Sequence, residues 1–199
     1  MATSIVTLPS LEPLTVRDAR EHLNITHQED DRLLSGYIVA ARSAAERETH
    51  RALLTQEWDI TLPRFPNVCD DGGTYIRVPG GFCQSVDSLA YVDGTGESVT
   101  LDPAEYQVDT SNEQGAVVLP APQGAWPATQ AGRRSAVTLR VTVGWPTVSR
   151  VPPILLQAVR FLIGHYYENR EAVVTGTIAT EMPQGAKSIL QSWRVWGAV

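Results

Sequence analysis

Apolar side chains in residues 151–170 recur every three or four positions, which is the spacing of one face of an α-helix. They are Ile154, Leu155, Ala158, Phe161, Leu162 and Tyr166. Pro152 and Pro153 suit the first turn of a helix, because a backbone N–H there has no intrahelical partner. The pattern therefore predicts an amphipathic helix over residues 152–170.

Two earlier segments also have helical patterns. Thr15 is a good N-cap for a short helix over residues 16–23, and Asp18 makes a relative of the capping box with it. A longer helix is predicted over residues 28–50, with acidic residues in its first turn and apolar residues at helical spacing. Its many small residues would let another helix approach closely, either in the core or in a neighbouring subunit, and we favour the core.

From residue 53 the pattern changes to alternation between apolar and polar positions, which is typical of half-buried strands. Residues 54–62 show it most clearly. Further strands are predicted at residues 75–78, 86–92, 98–101, 106–108, 116–119 and 136–144. Asp93 and Gly94 form a tight-turn signal between two of them. Short strands at this spacing indicate a small antiparallel sandwich or barrel.

The order of these elements predicts an α+β fold, with a helical core of three to four helices and an inserted small antiparallel β-domain. We expect residues 1–52 and 150–199 to form the helical core and residues 53–149 to form the β-domain. The first residues are expected to be an extended lead, and residues 171–182 a loop or arm.

The C-terminal residues 183–199 have partly helical spacing, and Lys187 and Arg194 are their only charged side chains. An acidic chain thus ends in a basic tail with two tryptophans, Trp193 and Trp196. Tryptophan and arginine are favoured anchors at protein interfaces. The sequence leaves two readings open: the tail folds back on the core, or it docks on a partner.

The composition limits the possible functions. The 199 residues carry a net charge of −6, and 43% of them are hydrophobic, so the chain can bury a core but is a poor clamp for DNA phosphates. Any contact with DNA should be steric or repulsive. No apolar run is long enough to span a membrane, and the N-terminal sequence does not resemble a signal peptide. We expect a soluble, cytoplasmic protein with no membrane contact.

No pattern typical of an enzyme is present. There is no P-loop, and the glycines at 94 and 96 belong to a predicted hairpin. His22, His27, His50 and His165 lack metal-ligand spacing, and a structural role is the favoured reading of His165. Cys69 and Cys83 are too few for a thiolate zinc site and are expected to be reduced. We therefore expect no catalytic residue, no cofactor and no metal.

Several segments, in order, resemble the head-tail connector (adaptor) proteins of long-tailed bacteriophages and gene transfer agents. The matching segments are LTVRDAREHLNI, QEDDRLL, ERETHRALLTQEWDITLPRFP, QSVDSLAYVDGTGE, YQVD, AWPAT, VTLRVTVGW and HYYENREAVVTG. They extend from about Leu14 to Gly176. One departure is Thr49-His50-Arg51, where the family pattern has glycine in the middle, so His50 would replace a left-handed glycine cap.

The resemblance implies a structural virion protein, assembled in the host cytoplasm and located in the neck between head and tail. It would form a ring, usually of twelve copies, beneath the portal protein, and lead to a stopper or tail-terminator protein. DNA would pass through the channel without specific binding.

On this interpretation the helices of residues 28–50 and 152–170 build the ring, and residues 183–199 bind the portal. The candidate ring-interface residues are Leu34, Tyr37, Ala41, Ala44, Tyr166, Glu168 and Arg170. The candidate portal-binding residues are Lys187, Ile189, Leu190, Trp193, Arg194 and Trp196.

Two alternatives stay open at this point. Within the same class, the chain would be a stopper or tail-completion protein that binds on the tail side. In a different class, the β-domain would be a carbohydrate-binding or host-recognition module, with Tyr75, Tyr91 and Trp126 as a platform for sugar rings.

Overall fold

The computed structural model describes residues 1–67, 73–170 and 182–195. These residues contain α-helices and two antiparallel sheets, which confirms the predicted α+β class. The chain forms two compact units. Among the described residues, the helical unit comprises residues 10–54, 146–170 and 182–194, and the β unit comprises residues 1–9, 55–67, 73–145 and 195.

Four α-helices lie in the described part of the helical unit. They are α1 (Val16–Leu23), α2 (Asp31–Thr49), α3 (Pro153–Glu168) and α4 (Gln184–Ser192). α2 packs against α1, α3 and α4, and α3 also packs against α1 and α4. The core between them is apolar, with Leu34, Ile38, Leu155, Leu162 and Leu190 at 2% exposure or less.

The predicted apolar face of α3 is only partly buried. Leu155, Ala158 and Leu162 lie in the core, whereas Ile154 and Phe161 are 44% and 37% exposed. Both exposed residues belong to the regular pattern, so the pattern alone does not show how far the burying surface extends around the helix.

α1 begins with the predicted cap. The backbone N–H of Asp18 donates to Thr15 Oγ1 over 3.1 Å, and the N–H of Thr15 donates to Asp18 Oδ2 over 2.8 Å. These reciprocal bonds satisfy donors that have no intrahelical acceptor. The hydrogen bonds from Thr15 also lower the pKa of Asp18 below its ordinary value.

α2 ends at His50, which has a left-handed backbone with φ of 55° and ψ of 35°. Its N–H donates to the carbonyl of Glu46. Glycine adopts this conformation without cost, whereas a residue with a Cβ is strained there. The expectation that His50 occupies a glycine-like cap position is confirmed.

A buried charge network holds the middle of α2. Arg42 donates from Nε to Glu12 Oε2 over 2.8 Å and from Nη1 to Glu46 Oε2 over 2.7 Å. Glu46 Oε1 accepts from the backbone N–H of Leu53 over 2.9 Å. Burial lowers the pKa of Arg42, but the two carboxylates outweigh it and the net shift is upward. Arg42 therefore joins α2 to the segment before it, and Glu46 joins α2 to the segment after it.

The larger sheet has the strand order β1-β2-β8-β4-β5, and every neighbouring pair is antiparallel. Its strands are β1 (Ala2–Thr7), β2 (Gln56–Leu62), β8 (Val137–Val143), β4 (Cys83–Val92) and β5 (Ser98–Thr100). β8 lies in the middle and alternates as predicted, with Val137, Leu139, Val141 and Val143 fully buried. The alternation follows because successive side chains of a strand point to opposite faces.

The smaller sheet has the order β3-β7-β6. Its strands are β3 (Ile76–Arg77), β7 (Val117–Pro120) and β6 (Tyr106–Asp109). Short 3-10 helices lie at Pro103–Glu105 and Val148–Arg150.

The turn at Asp93 and Gly94 joins β4 to β5, as predicted. Asp93 Oδ1 accepts from the backbone N–H groups of Thr95 and Glu97 over 2.9 and 3.0 Å. These bonds give two backbone N–H groups of the loop an acceptor, and they bring the two strands into register.

The N-terminal residues differ from the prediction. Residues 2–7 are not an extended lead to the helical core but strand β1, which pairs with β2 in the larger sheet. The segment is rich in threonine, isoleucine and valine, which favour strands. Its apolar residues do not alternate, so the period-two pattern did not reveal it.

Cys83 is a buried free thiol, and burial followed by the charge of Asp87 raises its pKa to about 11. Cys69 lies outside the described residues. No helix in the described ranges is both long and apolar enough to cross a bilayer.

Candidate docking surfaces

The C-terminal tail of the described chain folds back on the helical unit. α4 places Ala186 and Leu190 in the core, where both are fully buried. Phe161 of α3 lies close to Gly185 in the first turn of α4. Leu190 is therefore a core residue and not a free portal-binding anchor. The structure corrects that assignment because helical spacing identifies the burying face and not its partner.

Trp193 and Arg194 are also held inside the unit. Arg51 Nε donates to the carbonyl of Trp193 over 2.7 Å, and its guanidinium lies 5.8 Å from the centre of the Trp193 ring. Arg194 lies 3.0 Å from His50 Nε2 and 3.6 Å from Glu48 Oε1. Both side chains remain partly exposed. A partner can thus contact them only as part of a folded surface.

The remaining portal-binding candidates are Lys187, Ile189 and Trp196. Lys187 and Ile189 are half-buried on α4, between the exposed residues Gln184, Ser188 and Gln191. Trp196 lies outside the described residues. The outward face of α4 is consequently polar, with Lys187 as its charged group.

Three of the candidate ring-interface residues point into the protomer. Leu34 and Ala41 are fully buried and Ala44 is 6% exposed, all on the face of α2 that packs on the other helices. They cannot contact a neighbouring subunit without opening the core, so the structure corrects these three assignments. The opposite face of α2 is open, with Gly36, Val39, Ala40 and Ser43 exposed. Because small residues occupy both faces of α2, the sequence pattern did not distinguish the buried face from the exposed face.

The other four candidates lie where the end of α3 meets α2. The rings of Tyr37 and Tyr166 are 6.0 Å apart, and both side chains are half-buried. Glu168 is exposed, as is Arg170 just beyond the helix. These side chains form one partly exposed cluster.

Asp30 ties the end of α3 to the start of α2. Tyr167 donates its hydroxyl to Asp30 Oδ2 over 2.6 Å, and Arg170 Nη2 donates to the same oxygen over 3.1 Å. The guanidinium of Arg170 also lies 4.5 Å from the centre of the Tyr167 ring. The hydrogen bond from Tyr167 and the charge of Arg170 lower the pKa of Asp30. Arg170 therefore already has an intramolecular partner.

An open groove of about 590 Å³ lies beside the first turn of α4. Its walls include His22, Phe161, His165, Glu168 and Pro183. His165 is half-buried and has Nδ1 3.4 Å from Asn169 Nδ2. No group of three or more histidine, cysteine or acidic residues in the described ranges is arranged to hold a metal. The groove offers shape and hydrogen bonds but not a recognisable catalytic arrangement.

The aromatic residues of the β unit pack on one another. Phe65, which is 4% exposed, stacks on Trp126 with ring centres 4.8 Å apart and meets Tyr91 edge-on at 5.7 Å. Trp126 Nε1 donates to the carbonyl of Thr74 over 2.8 Å, and Tyr75 lies under the guanidinium of Arg77. Tyr91 and Trp126 are thus packed around a buried phenylalanine, which favours a core role over a platform for sugar rings.

Many of the positive charges are already paired. Six arginines in the described residues form ion pairs with acidic side chains. They are Arg17, Arg20, Arg42, Arg140, Arg170 and Arg194. Paired guanidinium groups bind phosphate less readily than unpaired ones.

Comparison with known protein families identifies the family of this chain. The family model described as "Phage gp6-like head-tail connector protein" matches residues 13–113, just over half of the chain. The chain belongs to this head-tail connector family. Membership assigns it a structural role in a virion, at the connection between head and tail. No curated protein matches the sequence.

Solved structures with the same fold cover the chain from end to end. A chain in the "Neck of empty GTA particle computed with C6 symmetry" is 24% identical with a TM-score of 0.77. A chain in the "Virion of native gene transfer agent (GTA) particle" has the same identity and TM-score. A chain in the "Neck of native GTA particle computed with C12 symmetry" is 25% identical with a TM-score of 0.72. Each match covers 100% of this connector and 98% of the other chain.

Proposed function

We propose that this connector forms a closed ring of twelve copies in the neck of a phage or gene transfer agent particle. The ring binds the portal protein on one side and a stopper or tail-terminator protein on the other. DNA passes through its channel without specific binding. The protein acts without catalysis, cofactor or membrane contact.

The observation that carries this proposal is the match to neck chains over the full length of both proteins. The match includes the helices, the sheets and the C-terminal tail, so no large part is left to serve a different role. The two neck structures were computed with sixfold and twelvefold symmetry. A ring of twelve satisfies both, because sixfold symmetry is contained in twelvefold symmetry.

The electrostatics of the chain suit a channel for DNA. A net charge of −6 and the six arginines paired with acidic side chains weaken the attraction of the chain for the phosphate backbone. Clustered lysine and arginine would bind DNA and slow its passage. A weakly repulsive wall allows the DNA to slide.

The ring contact is assigned to the exposed side of the helical unit. A cyclic ring requires two different complementary surfaces on each subunit. The open face of α2 and the cluster of Tyr37, Tyr166, Glu168 and Arg170 are assigned as the contact surfaces, and both contain exposed residues. This assignment replaces Leu34, Ala41 and Ala44 with the outward residues Gly36, Val39 and Ala40.

The portal contact is assigned to the folded C-terminal segment. Lys187, Ile189, Trp193 and Arg194 all remain partly exposed on or beside α4, and Trp196 follows in the chain. Deleting residues 183–199 would expose the pocket that Leu190 fills, so loss of function after deletion would not separate docking from folding. A surface substitution is the sharper experiment.

Lys187 gives that experiment, because it is the single lysine of the sequence. Particles treated with a bifunctional amine-reactive reagent should yield an adduct of the connector with the portal protein through Lys187. Lys187→Arg keeps the charge and removes the reactive amine, so the same adduct should disappear. An adduct through Lys187 with a tail-side protein instead would contradict portal docking and favour the stopper or tail-completion reading.

The ring itself is tested by averaged electron micrographs of particle necks containing a labelled connector. Twelve labels arranged around the axis between head and tail are expected. Labels elsewhere on the particle, or a single label per neck, would contradict the proposal.

A further inference from the structure

Strand β1 is exposed along its whole length. All six residues, Ala2–Thr7, are solvent-exposed although the strand pairs with β2 on one side. β1 is the terminal strand of the larger sheet, so no strand in the described ranges pairs with its outer edge. A strand that is exposed on both faces buries few side chains, so packing within its own subunit stabilises it little.

The segment is also unusually apolar for such a position. Ile5, Val6 and Leu8 are 52%, 46% and 64% exposed, and Met1 is 52% exposed. These four side chains lie within eight residues of sequence. Several exposed apolar side chains on one short edge segment mark an interaction site more often than a solvent-facing edge.

β1 carries almost none of the usual protection of a free edge. Residues 1–11 contain no charged side chain, and the strand contains no proline. Natural proteins block edge strands with lysine, proline, bulges or short length. One irregularity in register, between Ile5 and Thr7, is present, and it leaves Ala2 to Ile5 in regular pairing with β2. Within the described ranges no strand pairs with the outer backbone groups of this stretch.

The two edge strands of the larger sheet point to a second copy as the partner. Each copy carries a net charge of −6, so neighbours in a ring must meet through surfaces without like charges. The opposite edge of the same sheet is β5, Ser98–Thr100, which is likewise uncharged. Each copy therefore presents two different edge strands that contain no charged side chain. That is the arrangement which a head-to-tail ring requires.

The strand directions allow the two edges to join. Neighbouring strands of the sheet alternate in direction from β1 to β5, so these two edge strands run the same way. If the sheet of one copy continued into the next, β1 would pair with β5 in parallel. Parallel pairing needs no tight connection when the strands belong to different chains.

We propose that β1 of each copy adds to the sheet of the next copy at its β5 edge, with Ile5, Val6 and Leu8 covered by that neighbour. The proposal rests on the proposed ring and names a contact within it. The stretch of β1 from the N-terminus to the bulge provides the backbone bonds, and the apolar side chains provide the buried area.

The test places a photo-crosslinking amino acid at Ile5 of the full-length connector in assembled particles. Irradiation should give connector dimers, and the crosslinked peptide should contain residues 98–100 or their immediate neighbours. Adducts with the portal or a tail protein, dimers linked elsewhere, or no adduct would each overturn the proposal.

A substitution provides the second measurement. Val6→Glu should lower the yield of particles with complete rings by about tenfold or more, because the new carboxylate would meet Glu97 and Asp102 beside β5 of the neighbour. Val6→Thr keeps the shape and strand preference and should have little effect. Val108→Glu is the matched control, since Val108 is 38% exposed on the other sheet.

The two proposals fail in different ways. Absence of rings in wild-type particles would contradict the proposed function. Normal wild-type rings together with normal Val6→Glu rings would contradict the β1 contact alone.

Discussion

Arg51 donates from Nε to the backbone carbonyl of Trp193 over 2.7 Å, and its guanidinium lies 5.8 Å from the centre of the Trp193 ring. The bond joins the residue that follows the His50 cap of α2 to the end of α4, 142 positions later in the chain. Arg51 is 5% exposed, so water competes little with this contact. The tail of the connector is thus fixed by a charged hydrogen bond as well as by Leu190.

Arg51→Met should destabilise the connector by about 2 kcal/mol, because a hydrogen bond to a charged group is lost and the Trp193 carbonyl is left without it. Methionine keeps much of the apolar volume, which limits any cavity. The free energy of unfolding from denaturant titration gives the magnitude. Arg47→Ala, at an exposed site of α2, is the control and should change stability by less than about 0.5 kcal/mol. Equal effects from both variants would rule out the tail-anchoring role of Arg51.

The capping box of α1 gives a second prediction. Thr15→Ala removes the oxygen that accepts from the N–H of Asp18 and should cost about 1 kcal/mol. Thr15→Ser keeps the hydroxyl and should retain most of that stability. Thermal or denaturant unfolding of the three proteins measures the difference, and a serine variant as unstable as the alanine variant would show that the methyl group matters and the cap does not.

His50 allows the conformational strain of the α2 cap to be separated from side-chain contacts. His50→Gly and His50→Ala both remove the imidazole that lies 3.0 Å from Arg194. Glycine adopts the positive φ without strain, whereas alanine adopts it at a cost, so the glycine variant should be more stable than the alanine variant by about 1 kcal/mol. The comparison needs no assumption about the imidazole, because its loss is common to both. Equal stabilities would mean that the chain changes conformation at residue 50.

Local chemistry explains why much of the fold could be predicted. The α1 cap, the β4–β5 turn and the alternation of β8 each depend on residues close in sequence, and each lies where its pattern indicates. The left-handed position of His50 was found because the family pattern has glycine there. These features require no knowledge of distant contacts.

The features that were missed depend on contacts distant in sequence. β1 forms because β2 offers a free edge more than fifty residues later, and its own residues do not alternate. The buried face of α2 is hard to distinguish from its open face by composition, because alanine occupies both and the open face also carries Val39. For the same reason Leu34, Ala41 and Ala44 were assigned to a surface although they lie in the core. The fold-back of the tail was one of two open readings, because Trp193 and Arg194 suit either.

Gly115 gives a prediction from close backbone approach. Its φ is +144°, and a Cβ at this position would overlap the carbonyl oxygen of Val78. Gly115→Ala should therefore destabilise the connector by about 2–3 kcal/mol, since both the conformation and the backbone contact oppose it. Gly132 also has a positive φ, +76°, but has open space where a Cβ would lie. Gly132→Ala should cost only about 1 kcal/mol, and calorimetry that ranked the two in the opposite order would contradict the overlap.

Acid stability tests the ion pair between Asp59 of β2 and Arg140 of β8. Arg140 donates from Nε and Nη2 to the two oxygens of Asp59 over 2.9 and 2.8 Å. These bonds and the positive charge lower the pKa of Asp59 in the folded protein. The unfolded-state pKa is about 3.9, so the pair stabilises the fold fully above that pH. The stabilisation is lost as the pH falls through the lower, folded-state pKa.

Asp59→Asn should accordingly reduce the free energy of unfolding near pH 7 and make it less sensitive to acid below about pH 4. Arg140→Gln should have the same effect on the acid limb, because the Asp59 carboxyl then titrates closer to its ordinary pKa. Denaturant titrations at several pH values between about 2 and 7 measure both. If either variant kept the full acid sensitivity of the wild-type connector, the Asp59–Arg140 pair would contribute nothing to its stability at neutral pH.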